Sequence, residues 1–177
     1  IQLDTASRSI LLTKPHMKLD LGGIGKGYAA EKATDLLREL GFPSCIVDAG
    51  GDLSVSNKPN HKTGWEITVS SGTNADSTKI VAVDNRGIAT SGANYRFIEH
   101  KGNKYSHIVN PRTAIGLLHH VRTTVVAPRA TLADALSTAI SIAGSKKSKK
   151  ILKRFPEVKV WLLEDNKGKI TSFSTLE

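Results

Sequence analysis

Between Asp20 and Ala33 the chain reads DLGGIGKGYAAEKA, with Gly22, Gly23, Gly25 and Gly27 placed where a helix pattern begins. Glycine loses more conformational freedom on folding than any other residue, so this cluster answers to a need for bare backbone. No Ser or Thr stands where it could cap the helix. The first-turn amides are therefore open to an anion, which the helix dipole also favours. The spacing is not GxGxxG, and it is not a P-loop, because Tyr28 follows Gly-Lys where Ser or Thr would be needed. The pattern leaves two readings in balance: a phosphate-binding turn, or a tight turn packed against another backbone.

A second set of groups lies in RATLADALSTAISIAGS. Thr131, Asp134, Ser137, Thr138 and Ser141 recur at helical spacing and share one face. No Lys, Arg or Glu occurs from Thr131 to Gly144, which predicts a buried helix with a polar stripe. A buried carboxylate is costly unless it is paired or bound to a metal. Thr138 sets a hydroxyl one turn from Asp134, and such oxygens suit Mg²⁺, which takes one or two protein oxygens plus phosphates. The competing reading pairs Asp134 with one of the many lysines or arginines.

The third set is GNKYSHIVNPRT. A strand from Lys104 to Val109 would put Tyr105 and His107 on one face, with Asn110-Pro111 turning the chain. Histidine is the usual general base near neutral pH, a role open to His107 if its strand end faces the glycine turn and Asp134. His119 and His120 are adjacent and would point to opposite sides if extended. His16, His61 and His100 read as surface residues.

Positioning these groups falls to a chain of 177 residues, enough for one domain with a sizeable core. Hydrophobic content of 39% and charged content of 23% are ordinary globular values. No run of about 18 apolar residues is present to span a membrane. With Ile1 in first place and no signal-peptide pattern, the chain reads as a processed or excised form. Cys45 is the one cysteine, which excludes an internal disulfide and reads as a small buried hydrophobe. The net charge of +9 is local, since six positive charges lie in KKSKKILKR at residues 146–154. That run has no interleaved aromatic side chains for bases to stack on, so nucleic acid is not an expected partner.

Strand and helix signals alternate. Two short strands are predicted within residues 1–13, and HMKLDL looks like a strand leading into the glycines. A helix over 26–40 carries Ala29, Ala33, Leu36, Leu37 and Leu40 at helical spacing, and Gly41 stops it. SCIVDAGGDLSVS reads as one strand bent at Gly50-Gly51. GWEITVSS, KIVAVDNRGIATSG and RTTVVAP are further strands, and a hairpin turns at Lys101-Gly102-Asn103. Helices near 131–144 and 146–154 follow, then a terminal hairpin around Asn166-Lys167-Gly168. So many hairpins argue for an α+β fold with a largely antiparallel sheet and packed helices.

Taken in order, LDLGGIGKGYAAEKA, VDAGGDL, GIATSGANYRF, YSHIVNPRTA and ATLADALSTA resemble the motifs of the ApbE-type FAD:protein FMN transferases. The resemblance spans nearly the whole chain. It implies a single ApbE-like domain over 1–177 that lacks the N-terminal portion family members carry, a portion that contributes to the flavin pocket. The implied reaction is Mg²⁺-dependent transfer of FMN from FAD to a threonine hydroxyl of an acceptor protein, releasing AMP. Carried over by motif, Asp134 and Thr138 look like side-chain ligands of Mg²⁺, with the backbone carbonyl of Gly25 as third protein ligand. His107 matches the histidine that deprotonates the acceptor threonine. Gly22, Gly23, Gly25, Lys26, Asp52, Thr90 and Ser91 look like neighbours of the dinucleotide. The family setting is bacterial, periplasmic or otherwise extracytoplasmic and membrane-associated, with respiratory redox-pump subunits as typical acceptors.

This chain departs from the family's DPRTG, reading NPRTA with Asn110 and Ala114. If the missing carboxylate orients His107, its loss would weaken base catalysis and leave FAD binding intact. Two other readings share the same residues: an FAD pyrophosphatase giving FMN and AMP, and a non-catalytic FAD-binding module.

Overall fold

The computed structural model describes residues 1–70, 78–92, 97–118, 120–166 and 168–175, the side chains of Ser70 and Asn166 excepted. His119 and Lys167 lie outside the described residues, as do residues 93–96 of GIATSGANYRF. The chain opens with the expected antiparallel pair, β1 (Gln2–Asp4) and β2 (Ser9–Leu11). Residues 16–21 are irregular and not the strand expected there. Their end is shaped by turn bonds instead. The Asp20 carboxylate accepts the Gly22 amide at 2.7 Å, and the Leu21 carbonyl accepts those of Ile24 and Gly25.

Helix α1 (Gly25–Glu39) follows, and then β3 (Ile46–Asp48) and β4 (Leu53–Val55). These two form an antiparallel hairpin where a single bent strand was expected. Gly50 and Gly51 both adopt positive φ (68° and 94°), and the Asp48 carboxylate accepts the Gly51 amide, so the chain reverses fully. Next come β5 (Trp65–Ser70), β6 (Thr78–Val83) and β7 (Arg86–Gly92), the last two divided at Asn85 with φ of 51°. β8 (Phe97–His100) and β9 (Asn103–Ser106) make the predicted hairpin, with Lys101 and Gly102 both at positive φ as a two-residue turn of this kind requires.

A two-strand clip of β10 (Val109–Asn110) and β11 (Ile115–Gly116) leads into β12 (His120–Ala127). The expected pair of late helices is α2 (Ala130–Leu152), broken at Gly144, where φ is 69° and ψ is 172°. On its second half Lys146, Lys147, Lys149 and Lys150 are exposed while Ser148 and Leu152 are buried, the solvated basic face the sequence suggests. β13 (Lys159–Asn166) and β14 (Lys169–Ser174) close the chain.

Six strands form the main sheet in the order β14-β13-β12-β7-β4-β3, every neighbour antiparallel. Strand periodicity divides it into two faces. Ala89, Val125, Val160 and Leu162 pack with Ala133, Leu136 and Ile140 of α2. Their neighbours Ile88, Val126 and Trp161 pack on the other face with Val69 and Val83 of the β5–β6 hairpin. The architecture is α+β, as the run of hairpins predicts.

Helix α1 does not bury its apolar stripe. Its buried positions are Gly27, Ala30, Glu31 and Thr34, while Leu36 and Leu40 are 54% and 64% exposed. The reason is a crossing with α2 too close for large side chains. A Cβ on Gly27 would stand 2.3 Å from the Ala130 carbonyl oxygen and 2.7 Å from Asp134 Cβ. From the sheet side, a Cβ on Gly87 would meet the Ala130 backbone at 2.2 Å. Ala130 is therefore gripped between two glycines, and only glycine allows either approach.

The clip between β10 and β11 contains one strained residue. Ala114 sits at φ of 56°, its amide bonded to the Asn110 carbonyl at 2.8 Å. Left-handed backbone costs an L-residue about 1–2 kcal/mol, against the smaller entropy cost of glycine. We expect Ala114→Gly to stabilise the fold by about 1 kcal/mol, raising the thermal midpoint by about 2–4 °C. Calorimetry of the two proteins checks this, and an unchanged or lower midpoint would contradict it.

Candidate functional site

The crossing of α1 and α2 brings the sequence-predicted groups of the two helices together. Gly27 is the third residue of α1, and its amide donates to Asp134 Oδ2 at 2.9 Å. Asp134 is 3% exposed, and among the described residues no lysine or arginine pairs with it. The competing ion-pair reading of Asp134 is thereby set aside. The expectation that the first-turn amides stand open is also corrected. Gly25 donates to the Leu21 carbonyl at 2.7 Å, and Gly27 donates to the protein's own carboxylate. The helix dipole favours that carboxylate for the same reason it favours a phosphate.

Lys26, the residue between, reaches a second buried carboxylate. Its Nζ lies 2.7 Å from Asp52 Oδ2, an ion pair that lacks hydrogen-bond angles, so this buried oxygen is neutralised without being saturated. Asp52 Oδ1 accepts the Thr90 amide at a long 3.4 Å. Burial pushes the Asp52 carboxyl above its ordinary pKa. Lys26 works against that shift, and the negative charge of Asp134 reinforces it. Two acids thus share one locus and one lysine, an arrangement in which added positive charge would be favourable.

The polar stripe of α2 has several fates. Ser137 donates to the Asp134 carbonyl, and Ser141 donates to the Ser137 carbonyl and shares a hydroxyl–hydroxyl bond with Thr123 of β12. Thr131 donates both its amide and its hydroxyl to Glu31. Thr138 stays half-buried, and its side chain faces Gly23: a Cβ on that glycine would stand 3.2 Å from Thr138 Cγ2. A Cβ on Gly25 would meet only Leu21 at an ordinary 3.7 Å, and one on Gly22 would touch Asp20.

Thr90 and Ser91 lie on β7, on opposite faces of the sheet. Ser91 follows Ala89 on the α2 face, while the Thr90 hydroxyl is engaged with Thr124 at 2.9 Å. His107 is not on a strand. β9 ends at Ser106, and His107 is exposed on the bend before β10, between the buried Ser106 and Ile108. The strand stops because the Ser106 hydroxyl accepts the Ile108 amide at 3.0 Å and Gly116 packs on the Ser106 carbonyl. Asn110 Oδ1 accepts the Arg112 amide at 3.0 Å, a turn bond that aspartate would make equally well. Cys45 is half-buried beside the Ser56 hydroxyl rather than deep in the core.

One group has no signal in the sequence. Glu31, 7% exposed, receives Arg129 Nε at 2.8 Å, Arg129 Nη2, and both donors of Thr131. Burial would raise its pKa, but the bonds from Arg129 and Thr131 outweigh it and hold the carboxyl below its ordinary value. This clamp joins α1 to the start of α2, one helical turn from the Gly27–Asp134 bond.

The ApbE family model matches residues 1–162. The chain belongs to the ApbE family. An FAD:protein FMN transferase of Treponema pallidum is 34% identical over 164 residues, 86% of this chain and 45% of that protein. Another from Haemophilus influenzae is 27% identical, covering 99% of this chain and 52% of that one. The crystal structure of an ApbE protein from Thermotoga maritima aligns with a TM-score of 0.78 at 29% identity, over 96% of this chain and 55% of that structure. The apo flavinyl transferase ApbE of Pseudomonas stutzeri gives 0.74 at 28%, over 89% and 49%. This ApbE chain thus spans about half the length of the relatives it matches.

The glycines divide by their surroundings, and the division is measurable. Gly27→Ala drives a methyl into the α2 backbone and should lose about 1–3 kcal/mol, the usual cost of overpacking. Gly25→Ala meets only an ordinary contact with Leu21 and should leave stability unchanged or raise it by up to about 1 kcal/mol. Urea denaturation of both variants distinguishes them, and equal losses would refute the assignment.

Proposed function

We propose that this chain forms the pyrophosphate- and Mg²⁺-binding part of an FAD:protein FMN transferase, which moves FMN from FAD to a threonine hydroxyl of an acceptor protein and releases AMP. The observation that carries the reading is Asp134. It is a buried carboxylate bonded to a helix-first-turn amide, unpaired with lysine or arginine among the described residues, and it lies near Asp52. The similarity to FAD:protein FMN transferases of Treponema pallidum and Haemophilus influenzae supports the same reading.

The donors fit a hard cation. Asp134 and Thr138 offer a carboxylate and a hydroxyl, with the Gly25 carbonyl as third protein oxygen. Among the described residues no three His, Cys, Asp or Glu side chains converge, so further ligands would be substrate oxygens, the balance that Mg²⁺ prefers. Bound there, Mg²⁺ supplies charge that offsets the pyrophosphate and the departing AMP phosphate. Gly22, Gly23 and Gly25 let the pyrophosphate approach the backbone, with Lys26, Asp52 and Ser91 beside the dinucleotide; Thr90, its hydroxyl engaged by Thr124 on the other sheet face, would offer only its backbone. The acceptor oxygen bonds to the FMN phosphorus as the bond from that phosphorus to the AMP oxygen breaks. His107 takes the threonine proton. Its exposed bend suits a base that must meet an outside protein, and buried Ser106 and Ile108 hold the bend in place. Leu19, Leu21, Ile24 and Tyr28 leave apolar surface beside the glycines for the flavin ring or for the polypeptide that completes the pocket. The expected setting is extracytoplasmic.

Asp134→Ala should abolish Mg²⁺-dependent FAD binding; it leaves the buried Gly27 amide without its acceptor, a cost of about 1–3 kcal/mol, so a thermal melt accompanies it to establish that the variant is folded. Titration calorimetry of FAD with and without Mg²⁺ tests this; equal, metal-independent affinity in both proteins would remove the site.

For His107→Ala the expected loss is roughly 10²–10⁴-fold in transfer rate with little change in FAD affinity. The assay uses the longest native form of the protein, following in-gel fluorescence of FMN on an acceptor peptide. Transfer at the wild-type rate would exclude His107. Free FMN and AMP without labelled peptide would favour the pyrophosphatase, and bound, unreacted FAD would favour the binding module.

A further inference from the structure

A cleft of about 350 Å³ lies between the second half of α1, the β6–β7 turn and the residues leading into α2. None of the residues assigned above to FAD or Mg²⁺ lines it. Three arginines from these three elements do: Arg38, Arg86 and Arg129. Two of them are gathered on one residue. Asn85, in left-handed backbone, accepts Arg38 Nη2 on its side-chain oxygen and Arg86 Nη1 on its carbonyl at 3.1 Å.

Glu31 and Asp35 also line the cleft; Glu31 neutralises Arg129, which leaves Arg38 and Arg86 as the cations a ligand can use. Glu31 is saturated by Arg129 and Thr131. Asp35 answers Lys32 at 3.2 Å and reaches Arg38 only at 4.0 Å. Asp84 accepts the Lys58 amide and the Asn85 side-chain amide. Among the described residues Arg86 meets no carboxylate. On the inner wall, Ser54 of β4 is 6% exposed and lines the cleft, and among the described residues its hydroxyl takes no hydrogen bond. Because Ser54 lines the cleft, its hydroxyl can donate to a ligand there without giving up a bond inside the protein.

We propose that this cleft binds a small molecule through a phosphate monoester group, held by Arg38 and Arg86 with the Ser54 hydroxyl as a further donor. Guanidinium forks match phosphate oxygens in pairs, and two forks plus a hydroxyl offer more donors than the two oxygens of a carboxylate can accept. The volume exceeds what a bare phosphate fills and lies at the lower end of small-molecule pockets. The inference does not rest on the transferase reading, because it uses none of the same residues.

The test is titration calorimetry on the 177-residue chain in EDTA, with ribose 5-phosphate, inorganic phosphate and acetate, against sodium chloride at matched ionic strength. Wild type should give saturable binding of a phosphate probe, at least tenfold weaker in Arg86→Ala and in Arg38→Ala and weaker also in Ser54→Ala. Circular dichroism and thermal melts establish that each variant is folded. Asp134→Ala and the paired change Lys149→Ala with Lys150→Ala should bind as wild type, which separates the cleft from the FAD site and from the basic helix. Tighter binding of the sugar phosphate identifies an organic phosphate as the ligand, and equal binding identifies the free anion. No saturable heat above the chloride control, equal affinity for acetate, or wild-type binding by folded Arg86→Ala and Arg38→Ala would overturn the proposal. So would loss of binding in Asp134→Ala.

Discussion

The approach of α1 to α2 at Gly27 and Ala130 is the constraint on which the rest of the structure turns. Without a side chain at Gly27, the α1 amide can donate to Asp134 at 2.9 Å. Any larger residue would push the helices apart and leave a buried carboxylate with no donor, an expensive arrangement. Gly87 fixes the other side, seating the start of α2 on β7. The clamp of Glu31 on Arg129 and Thr131 then sets the rotation of one helix against the other. Packing and charge placement are here one fact. The bare backbone that lets the helices touch also aims a helix N-terminus at an acid.

That resolves the ambiguity of the glycine cluster in an uneven way. Gly27 answers to packing, because its missing side chain is replaced by α2. A side chain on Gly25 would meet only Leu21 at an ordinary distance, and Gly23 looks onto Thr138. One stretch of sequence therefore serves two masters, and no spacing rule could have apportioned its residues. The partners that decide the matter lie more than a hundred residues away in the chain, as the Gly27–Asp134 bond illustrates.

Local signals in the sequence were read well, and distant ones were not. Both helices, the break at Gly144 and the Lys101-Gly102 hairpin follow from turn residues and periodicity acting over a few positions. Errors arose where tertiary contact overrode them. Leu36 and Leu40 sit at helical spacing, yet they face outward because small residues won the interface with α2. The segment around Gly50-Gly51 reverses instead of bending, since both glycines take positive φ, which sequence permits without requiring. His107 left its strand because of a side-chain bond from Ser106, the kind of local competition with the ladder that pattern reading overlooks. Glu31 was invisible altogether, a charged residue in a helix that any reading assigns to the surface.

The stripe on α2 shows how structure narrows chemistry by elimination. Five polar residues share a face in the sequence, and each alone could be a ligand. Thr131 is committed to Glu31, and Ser137 and Ser141 are committed to backbone and to Thr123. Satisfied hydroxyls of this kind stabilise a buried helix and have no donor capacity to spare for substrate. Asp134 and Thr138 remain, one turn apart, facing the glycine turn. The metal reading therefore rests less on their being oxygens than on what their neighbours are already doing. The same logic applies to charge: Lys26 pairs with Asp52 and is the one cation paired with either acid among the described residues, while Asp134 has the Gly27 amide as its donor. Two acids around one lysine at a helix crossing leave a surplus of negative charge, and on the function proposed above a divalent ion held with substrate phosphates would offset it.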